Sequence, residues 1–452
     1  MPEEIITVDT GDTEVWSVIR TLLDDAGQVV RVLVQYDDGS LQDTHYEDGR
    51  VSSVFRTDAI AGGGRFSWTT VQEGYDAAGT LRSRNTVFDN GVRLSETLGA
   101  DGLIDAASYV DAGVNDWSRI DVGFDFRGEM SARTTLYDDG VTREDFFVNG
   151  QLSVRQETDH GNAHAWESVT IQYGFGGAPL SKTVTYDTGL LREESFSGGV
   201  RRSVIETDTT GTASAFETRE VYYDANGVLT ARRVAFDNGV LGEEFYRDGV
   251  VSATSQTDGD DLFAWSRKDN MHDETGALMS RVTRYDDGVI EQTAYDGGLA
   301  VSQVSVDFAD ARSWQTIETL FDAAGQKARL TVVEDTGMKR VTTYENGVLD
   351  ARSDEDLADE FIWEVRVTDY DASGQRITDG VRYDNGDEQI NIYAGGLRDV
   401  RIEVDGDGSE AWSVRITEYD AAGVSEGRVT YTDPADVPSL YAEYFDFNLA
   451  IA

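Results

Sequence analysis

The chain has 452 residues, 38 basic and 85 acidic side chains, a formal net charge of −47 and no cysteine. A field of that sign repels nucleic acid and anionic membrane surfaces, so the composition excludes a nucleic-acid partner and favours cation binding or a basic partner. Disulfides and thiol chemistry are excluded, and no stretch reaches the ~18 consecutive apolar residues that a membrane span needs.

An internal repeat with a period of about 49 residues runs through the chain. Its first landmark is a tryptophan, which Phe216 replaces once: Trp16, Trp68, Trp117, Trp166, Phe216, Trp265, Trp314, Trp363 and Trp412. Glycine follows eleven residues later, an aromatic residue usually twenty and thirty residues later, and aspartate usually forty-two residues later. This periodicity predicts one repeat array, not several unrelated domains.

Glycine-containing turns divide each repeat into strands. Pairs such as Asp38-Gly39 and Asn90-Gly91 tolerate positive φ and are typical of β-hairpin turns. Between the turns lie short runs rich in Val, Thr, Ile, Tyr and Arg, which favour strands. Each repeat is therefore predicted to contain four antiparallel strands, which start at the tryptophan and after each of three glycines. No sustained helical period is present.

The predicted array covers residues 1–452. An N-terminal strand lies within 1–15, and repeats start near residues 16, 68, 117, 166, 216, 265, 314, 363 and 412. Pro434 and Pro438 interrupt the last repeat, so residues 433–452 are predicted to form a C-terminal cap that ends in an apolar strand from Leu440 to Leu449.

Two all-β architectures fit nine tandem four-stranded antiparallel repeats. The first is a continuous twisted β-strip or solenoid of hairpins, and the alternative is a closed nine-bladed β-propeller. The inner strands of a propeller blade are covered on both faces, whereas strands such as 265–271 and 230–236 are polar. The polarity favours the strip.

The first turn of most repeats resembles the YD repeats of RHS and teneurin-type proteins. It occurs as Tyr-Asp-x-x-Gly-x-Leu at 75–81 and 223–229, in part at 370–374 and loosely at 272–278. The resemblance covers about a fifth of each repeat and implies hairpins that wind into a long β-strip. It implies no activity.

Acidic loops after the fourth strands are the candidate metal sites. The metal-ligating residues are predicted to be Asp258, Asp260, Asp261, Asp405, Asp407 and Glu410. Both loops resemble the start of a calcium loop, because hard cations prefer carboxylate oxygens. The twelfth position from Asp405 is Ile416 instead of the glutamate of an EF-hand, and turn structure explains the same aspartates.

The sequence favours a non-enzymatic structural or adhesive binding protein. In one hypothesis calcium stabilises it, and no other cofactor is expected. The alternative is a propeller-type glycan-binding protein or glycan-active enzyme. Aromatic residues at fixed positions would align between repeats, where they staple the sheet or offer a protein or glycan partner a surface. Secretion or surface display by a leaderless route is one expectation and cytoplasmic residence is the other, while the oligomeric state stays open.

Overall fold

The computed structural model describes residues 3–59, 66–442 and 444. It contains two units, residues 1–228 and residues 229–452. Within the described residues every element is a β-strand except one 3-10 turn, Pro434–Asp436, and one turn of α-helix, α1, Ser439–Ala442. No helix in these ranges is long and apolar enough to cross a bilayer.

The strands of the first unit are β1 Glu3–Val8, β2 Trp16–Leu23, β3 Val29–Tyr36, β4 Leu41–Glu47, β5 Arg50–Thr57, β6 Trp68–Tyr75, β7 Leu81–Phe88, β8 Arg93–Leu98, β9 Ile104–Val110, β10 Trp117–Phe124, β11 Met130–Tyr137, β12 Val141–Val148, β13 Gln151–Asp159, β14 Trp166–Tyr173, β15 Pro179–Tyr186, β16 Leu190–Ser197, β17 Val200–Asp208 and β18 Phe216–Tyr223.

The strands of the second unit are β19 Leu229–Phe236, β20 Val240–Arg247, β21 Val250–Asp258, β22 Trp265–His272, β23 Leu278–Tyr285, β24 Val289–Asp296, β25 Leu299–Asp307, β26 Trp314–Phe321, β27 Lys327–Glu334, β28 Met338–Glu345, β29 Val348–Asp356, β30 Trp363–Tyr370, β31 Arg376–Tyr383, β32 Glu388–Ala394, β33 Leu397–Val404, β34 Val414–Tyr419 and β35 Ser425–Tyr431.

Strand pairing continues across the boundaries between repeats. The fourth strand of the first repeat, β5, pairs with the first strand of the next repeat, β6, in the register Val54↔Glu73. β13 pairs with β14 in the same way. A propeller keeps each blade as a separate sheet, so the closed-ring alternative is wrong, and the predicted continuous hairpin strip is confirmed in each unit.

Local turn chemistry explains why the chain reverses where it does. The Asp76 carboxylate accepts hydrogen bonds from the backbone N–H groups of Ala78 and Thr80, each at 2.9 Å. The turn closes through Gly79 at φ +86°, whose N–H donates to the Asp76 carbonyl. At the third turn Asp48 and Gly49 both have positive φ, 49° and 75°, as a type I′ hairpin turn requires.

One face of the sheet, here called the ladder face, alternates valines with ion pairs. In the first unit its buried valines include Val54, Val169 and Val204. Directly paired strand positions place Asp145 between Arg133 and Arg155 on this face. A carboxylate oxygen of Asp145 lies 2.7 Å from Arg155 Nε, so charged side chains and branched apolar ones share the same surface.

The C-terminal prediction needs a correction. Residues 440–442, which were predicted to begin a final strand over 440–449, belong to α1 instead. The rest of that predicted strand, except Tyr444, lies outside the described residues. Pro434 and Pro438 lack the N–H groups that a sheet ladder needs, and the Asp433 side chain caps the 3-10 turn by accepting from Ala435 N–H at 2.9 Å.

The segment after β35 covers one end of the sheet. Val437 and Tyr441 pack on a core that includes Ile402, Val414 and Ile416, which are 0%, 0% and 3% exposed. Ile416, the residue that excluded an EF-hand in the sequence, is therefore a core residue of β34.

Candidate functional sites

We call the places where one repeat joins the next junctions, and at four of them two aromatic side chains stack. At the first junction Phe66 stacks on Trp68 with ring centres 4.7 Å apart. The same stack recurs in the pairs His164–Trp166, Phe263–Trp265 and Phe361–Trp363. Sequence reasoning identified the tryptophan but not the residue two positions earlier. That position is aromatic in these four repeats only, and the other five have Glu14, Asn115, Ser214, Arg312 and Glu410 there.

A guanidinium group fills the third junction, between the repeats that begin at Trp117 and Trp166. The Arg143 guanidinium carbon lies 5.2 Å from the centre of the Tyr137 ring. Arg143 Nε also donates to Glu157 at 2.7 Å. This side chain therefore covers the aromatic ring and neutralises the neighbouring carboxylate at once.

The first junction contains a cavity of about 530 Å³. Tyr36, Phe66 and Trp68 line it, with Gln42 and Arg56 among the polar groups. Arg56 Nε donates to Gln42 Oε1 at 3.0 Å, and its Nη1 lies 3.1 Å from Glu73 Oε2. Its charge is thus already paired with a carboxylate of the next repeat.

Aspartates from two loops meet at one edge of several repeats, in sets that we call acidic trios. Asp37 lies close to Asp9 and Asp12, and its pKa is raised by desolvation and by repulsion from its acidic neighbours. The same causes raise the pKa of Asp286 beside Asp261 and Asp258, of Asp335 beside Asp310 and Asp307, and of Asp384 beside Asp359 and Asp356.

Three carboxylates converge at one of the two predicted metal loops. Oxygens of Asp387, Asp405 and Asp407 lie within 4.8 Å of one another, the one such group in the described chain. Hydrogen bonds from Ser409 hold the pKa of Asp407 below its usual value, and Asp405 and Asn385 add to the effect. Asp387 was missed because it precedes Asp405 by a whole hairpin.

Glu410, the remaining predicted ligand of this loop, has a different place. Its backbone N–H donates to Asp405 Oδ2 at 3.0 Å. Its carboxylate adds to the raised pKa of Arg415, so the structure does not bring it into the group of three.

The other predicted loop contributes to an acidic trio. Asp258 Oδ2 accepts from Phe263 N–H at 2.7 Å, and Asp261 has a positive φ of 58°. Asp260 lies against Gly239, where an added Cβ would come within 2.2 Å of its Cγ. Asp258 and Asp261 therefore face Asp286, while Asp260 packs on the preceding turn.

No family model and no curated protein matches the chain. Among solved structures, it aligns with a crystal structure of TcdB2–TccC3–TEV at 15% identity and a TM-score of 0.17, covering 92% of this chain and 23% of the other. A Photorhabdus luminescens Tc holotoxin pore that carries a TccC3 mutation aligns at 12% identity and a TM-score of 0.16, with coverage of 93% and 24%. Superpositions at this level carry no argument about function.

Proposed function

We propose that the chain is a non-enzymatic structural and binding repeat protein that engages a protein or glycan partner through its junctions. The observation that carries the proposal is the recurrent aromatic stack at the start of a repeat, found with ring centres 4.7 to 5.2 Å apart. Phe66, Phe263 and Phe361 are 39%, 45% and 37% exposed. Exposed rings that recur along the chain suit many weak contacts with an extended partner, since each ring offers a flat apolar surface.

Binding to immobilised glycans and peptides tests this proposal. Trp68→Ala and Trp265→Ala are expected to weaken capture of a bound ligand, while an exposed control, Glu426→Gln, leaves it unchanged. Turnover of a glycoside by the purified chain would contradict the proposal and favour the alternative, a glycan-active enzyme. Glycan capture without turnover would select the glycan-binding form of the proposal.

We infer further that calcium stabilises the chain at Asp387, Asp405 and Asp407. Support comes from the three carboxylates within 4.8 Å of one another, since Ca²⁺ prefers such oxygen ligands. Binding to the folded state alone would add about 2.7 kcal/mol to the free energy of unfolding at a calcium concentration about 100 times Kd. The acidic trios, which include Asp258 and Asp261, would take cations more weakly.

Thermal melting with calcium and with a chelator tests the inference. Calcium is expected to raise Tm, and Asp387→Asn to remove most of that rise. Glu426→Gln removes the same charge from an exposed position on β35 and is the matched control. An unchanged Tm in millimolar calcium would contradict calcium binding.

The relation to YD-repeat proteins and a place outside the cell belong to the same proposal. The Tyr75–Gly79 turn, closed by the Asp76 carboxylate, supports the first. The acidic, cysteine-free composition supports secretion or surface display. Detection in washed cell lysate and never in medium or on intact cells would instead indicate cytoplasmic residence.

A further inference from the structure

We propose that a depression on the ladder face, in the repeat that begins at Phe216, binds one neutral hexopyranose unit of a glycan. This inference rests on the proposed binding function and names the chemistry of the ligand. Its basis is the set of side chains that three paired strands, β19, β20 and β21, bring to one place on the sheet.

The depression lies over two rows of directly paired residues. The first row is Arg232, Glu244 and Thr254, and the second is Val234, Gly242 and Gln256. A cavity of about 290 Å³ lies over these rows, with the Phe236 ring at its side. All of these residues belong to the second unit, so the site is complete within it.

A missing side chain opens this space. Among the eight third strands of the described chain, β20 alone has glycine twenty-six residues after the landmark aromatic. The other seven have a longer side chain there: Gln42, Leu94, Arg143, Arg192, Glu291, Arg340 and Gln389. A Cβ added to Gly242 would meet Phe236 Cε2 at 3.6 Å and the Val234 carbonyl oxygen at 3.9 Å, which are ordinary contacts. The strand therefore does not require glycine at this position.

Polar groups around the depression keep hydrogen-bonding capacity for a ligand. Arg232 Nη1 lies 3.8 Å from Glu244 Oε2, beyond hydrogen-bond distance. Thr254 Oγ1 accepts from Asn270 Nδ2 at 2.9 Å, which leaves its O–H free to donate. Within residues 3–59, 66–442 and 444, the Gln256 carboxamide makes no hydrogen bond.

The charges beside the depression cancel, although the whole chain carries −47. Arg232 faces Glu244 at 3.8 Å, and Arg233 Nε lies 3.6 Å from Glu243 Oε1. Two positive and two negative side chains give no net attraction for a cation or an anion. This balance favours a neutral ligand.

A sugar ring matches the remaining chemistry. A guanidinium and a carboxylate side by side donate to one hydroxyl and accept from its neighbour, and the Gln256 amide offers both a donor and an acceptor. The Phe236 ring, 39% exposed, offers a flat apolar surface to the C–H face of a pyranose. The cavity is at the lower end of the roughly 300–1,000 Å³ range of small-molecule sites, so it suits one ring.

Saturation-transfer NMR on the native chain tests the inference. The neutral probes are methyl β-D-glucopyranoside, methyl β-D-galactopyranoside and methyl α-D-mannopyranoside, and methyl β-D-glucuronide is the anionic probe. At least one neutral glycoside is expected to bind with a Kd of about 1 mM, as suits a single small ring. The glucuronide is expected to bind more weakly than that glycoside.

The decisive variant fills the depression. Gly242→Gln introduces the residue that two other repeats have at this position, Gln42 and Gln389. It is expected to abolish saturation transfer without lowering Tm. Gly427→Gln is the matched control, because it makes the same change on β35, where an added Cβ meets no atom within 4 Å. This control should leave sugar binding unchanged.

A second variant tests the ring. Phe236→Leu keeps an apolar wall and should weaken binding about three- to tenfold, the size of one aromatic contact. Glu334 holds the equivalent position in the repeat that begins at Trp314, so the fold does not require an aromatic residue there. Tm of the variant confirms that it is folded.

Undiminished binding to Gly242→Gln, equal affinity for the glucuronide, or no binding of any neutral glycoside at tens of millimolar would overturn the inference. Capture of immobilised peptides that Trp265→Ala weakens would then leave the proposed binding function standing with a protein partner. Failure of the glycosides, the immobilised glycans and the peptides together would remove both.

Discussion

Asp145 has no exposed side-chain surface, yet two arginines hold it as a carboxylate. Burial alone would raise its pKa, but hydrogen bonds from Arg155 and Arg133 outweigh that effect and lower it. Its ion pairs therefore contribute stability above the ordinary aspartate pKa of 3.8, and this contribution is lost as pH falls through the lowered pKa of the folded state.

Asp145→Ala should lower the free energy of unfolding by about 1–3 kcal/mol, because it leaves two guanidinium groups without their shared carboxylate. The value is below that of a fully buried pair, since the two arginines are 36% and 27% exposed. Urea unfolding followed by tryptophan fluorescence measures it. Asp121→Ala, which breaks the exposed pair with Arg119, is the control and should cost less than about 1 kcal/mol.

Asp208 provides a second prediction at the level of one residue. Desolvation raises its pKa, but hydrogen bonds from Thr210, Ser214 and Gly211 prevail and lower it to about 2. The folded chain should therefore lose stability as pH falls from 3.8 towards about 2. Melting of the native chain and of Asp208→Asn over this range measures the effect. An identical pH dependence in both chains would contradict the assignment.

At the scale of elements, the cap on β32–β35 is the best-packed part of the described chain. Ile402→Ala removes a fully buried side chain from this cluster and should cost about 2–5 kcal/mol. Val429→Ala changes a side chain on β35 that is 53% exposed, so it should cost far less. Urea unfolding of the two variants gives the comparison, and equal losses would show that the cap is not a packed core.

Tyr441 ties this cap to the sheet and allows a test at high pH. Its hydroxyl donates to Glu418 at 2.7 Å, and that hydrogen bond together with burial raises its pKa to about 12. The stabilisation is complete below the ordinary tyrosine pKa of 10 and is lost as pH rises towards about 12. Tyrosinate absorbance should show this late titration, and Tyr441→Phe should remove it together with part of the alkaline loss of stability.

The elements that the sequence predicts correctly depend on local chemistry. An Asp-Gly pair such as Asp48-Gly49 determines a hairpin turn from two residues, so strands and turns were predictable. Contacts between different hairpins were not predictable from the sequence, because Asp387 approaches Asp405 only after β32 and β33 have paired. The helical turn at Ser439–Ala442 was missed for a related reason, since apolar residues such as Leu440 and Tyr441 fit a strand and a packed cap equally well.

At the scale of the whole molecule, the net charge of −47 should make stability depend on salt. The screening length falls from ~30 Å at 0.01 M to ~8 Å at 0.15 M salt, which weakens repulsion between carboxylates. Tm should therefore rise with sodium chloride at neutral pH. A flat or falling Tm would contradict a destabilising role for this charge.

The acidic trios should account for part of this salt dependence. Because the pKa values of Asp37, Asp286, Asp335 and Asp384 are raised, the ionised groups destabilise the fold at neutral pH, and stability should increase as pH falls through those raised values. The fourfold Asn variant should melt at a higher temperature in low salt and respond less to added salt. Thermal melting of the native chain and of the fourfold variant at several salt concentrations measures this effect. Glu426→Gln, which removes one exposed charge, is the control.

The pairing of each fourth strand with the following first strand has an evolutionary consequence. Deletion or duplication of one complete period within a unit would splice equivalent strands together and recreate every register that it interrupts. The number of repeats can then change by unequal recombination without disturbing strand pairing at the point where the repeats are rejoined. Because the repeats differ in their junction residues, such shuffling would change the surface that a descendant presents while its scaffold stays the same.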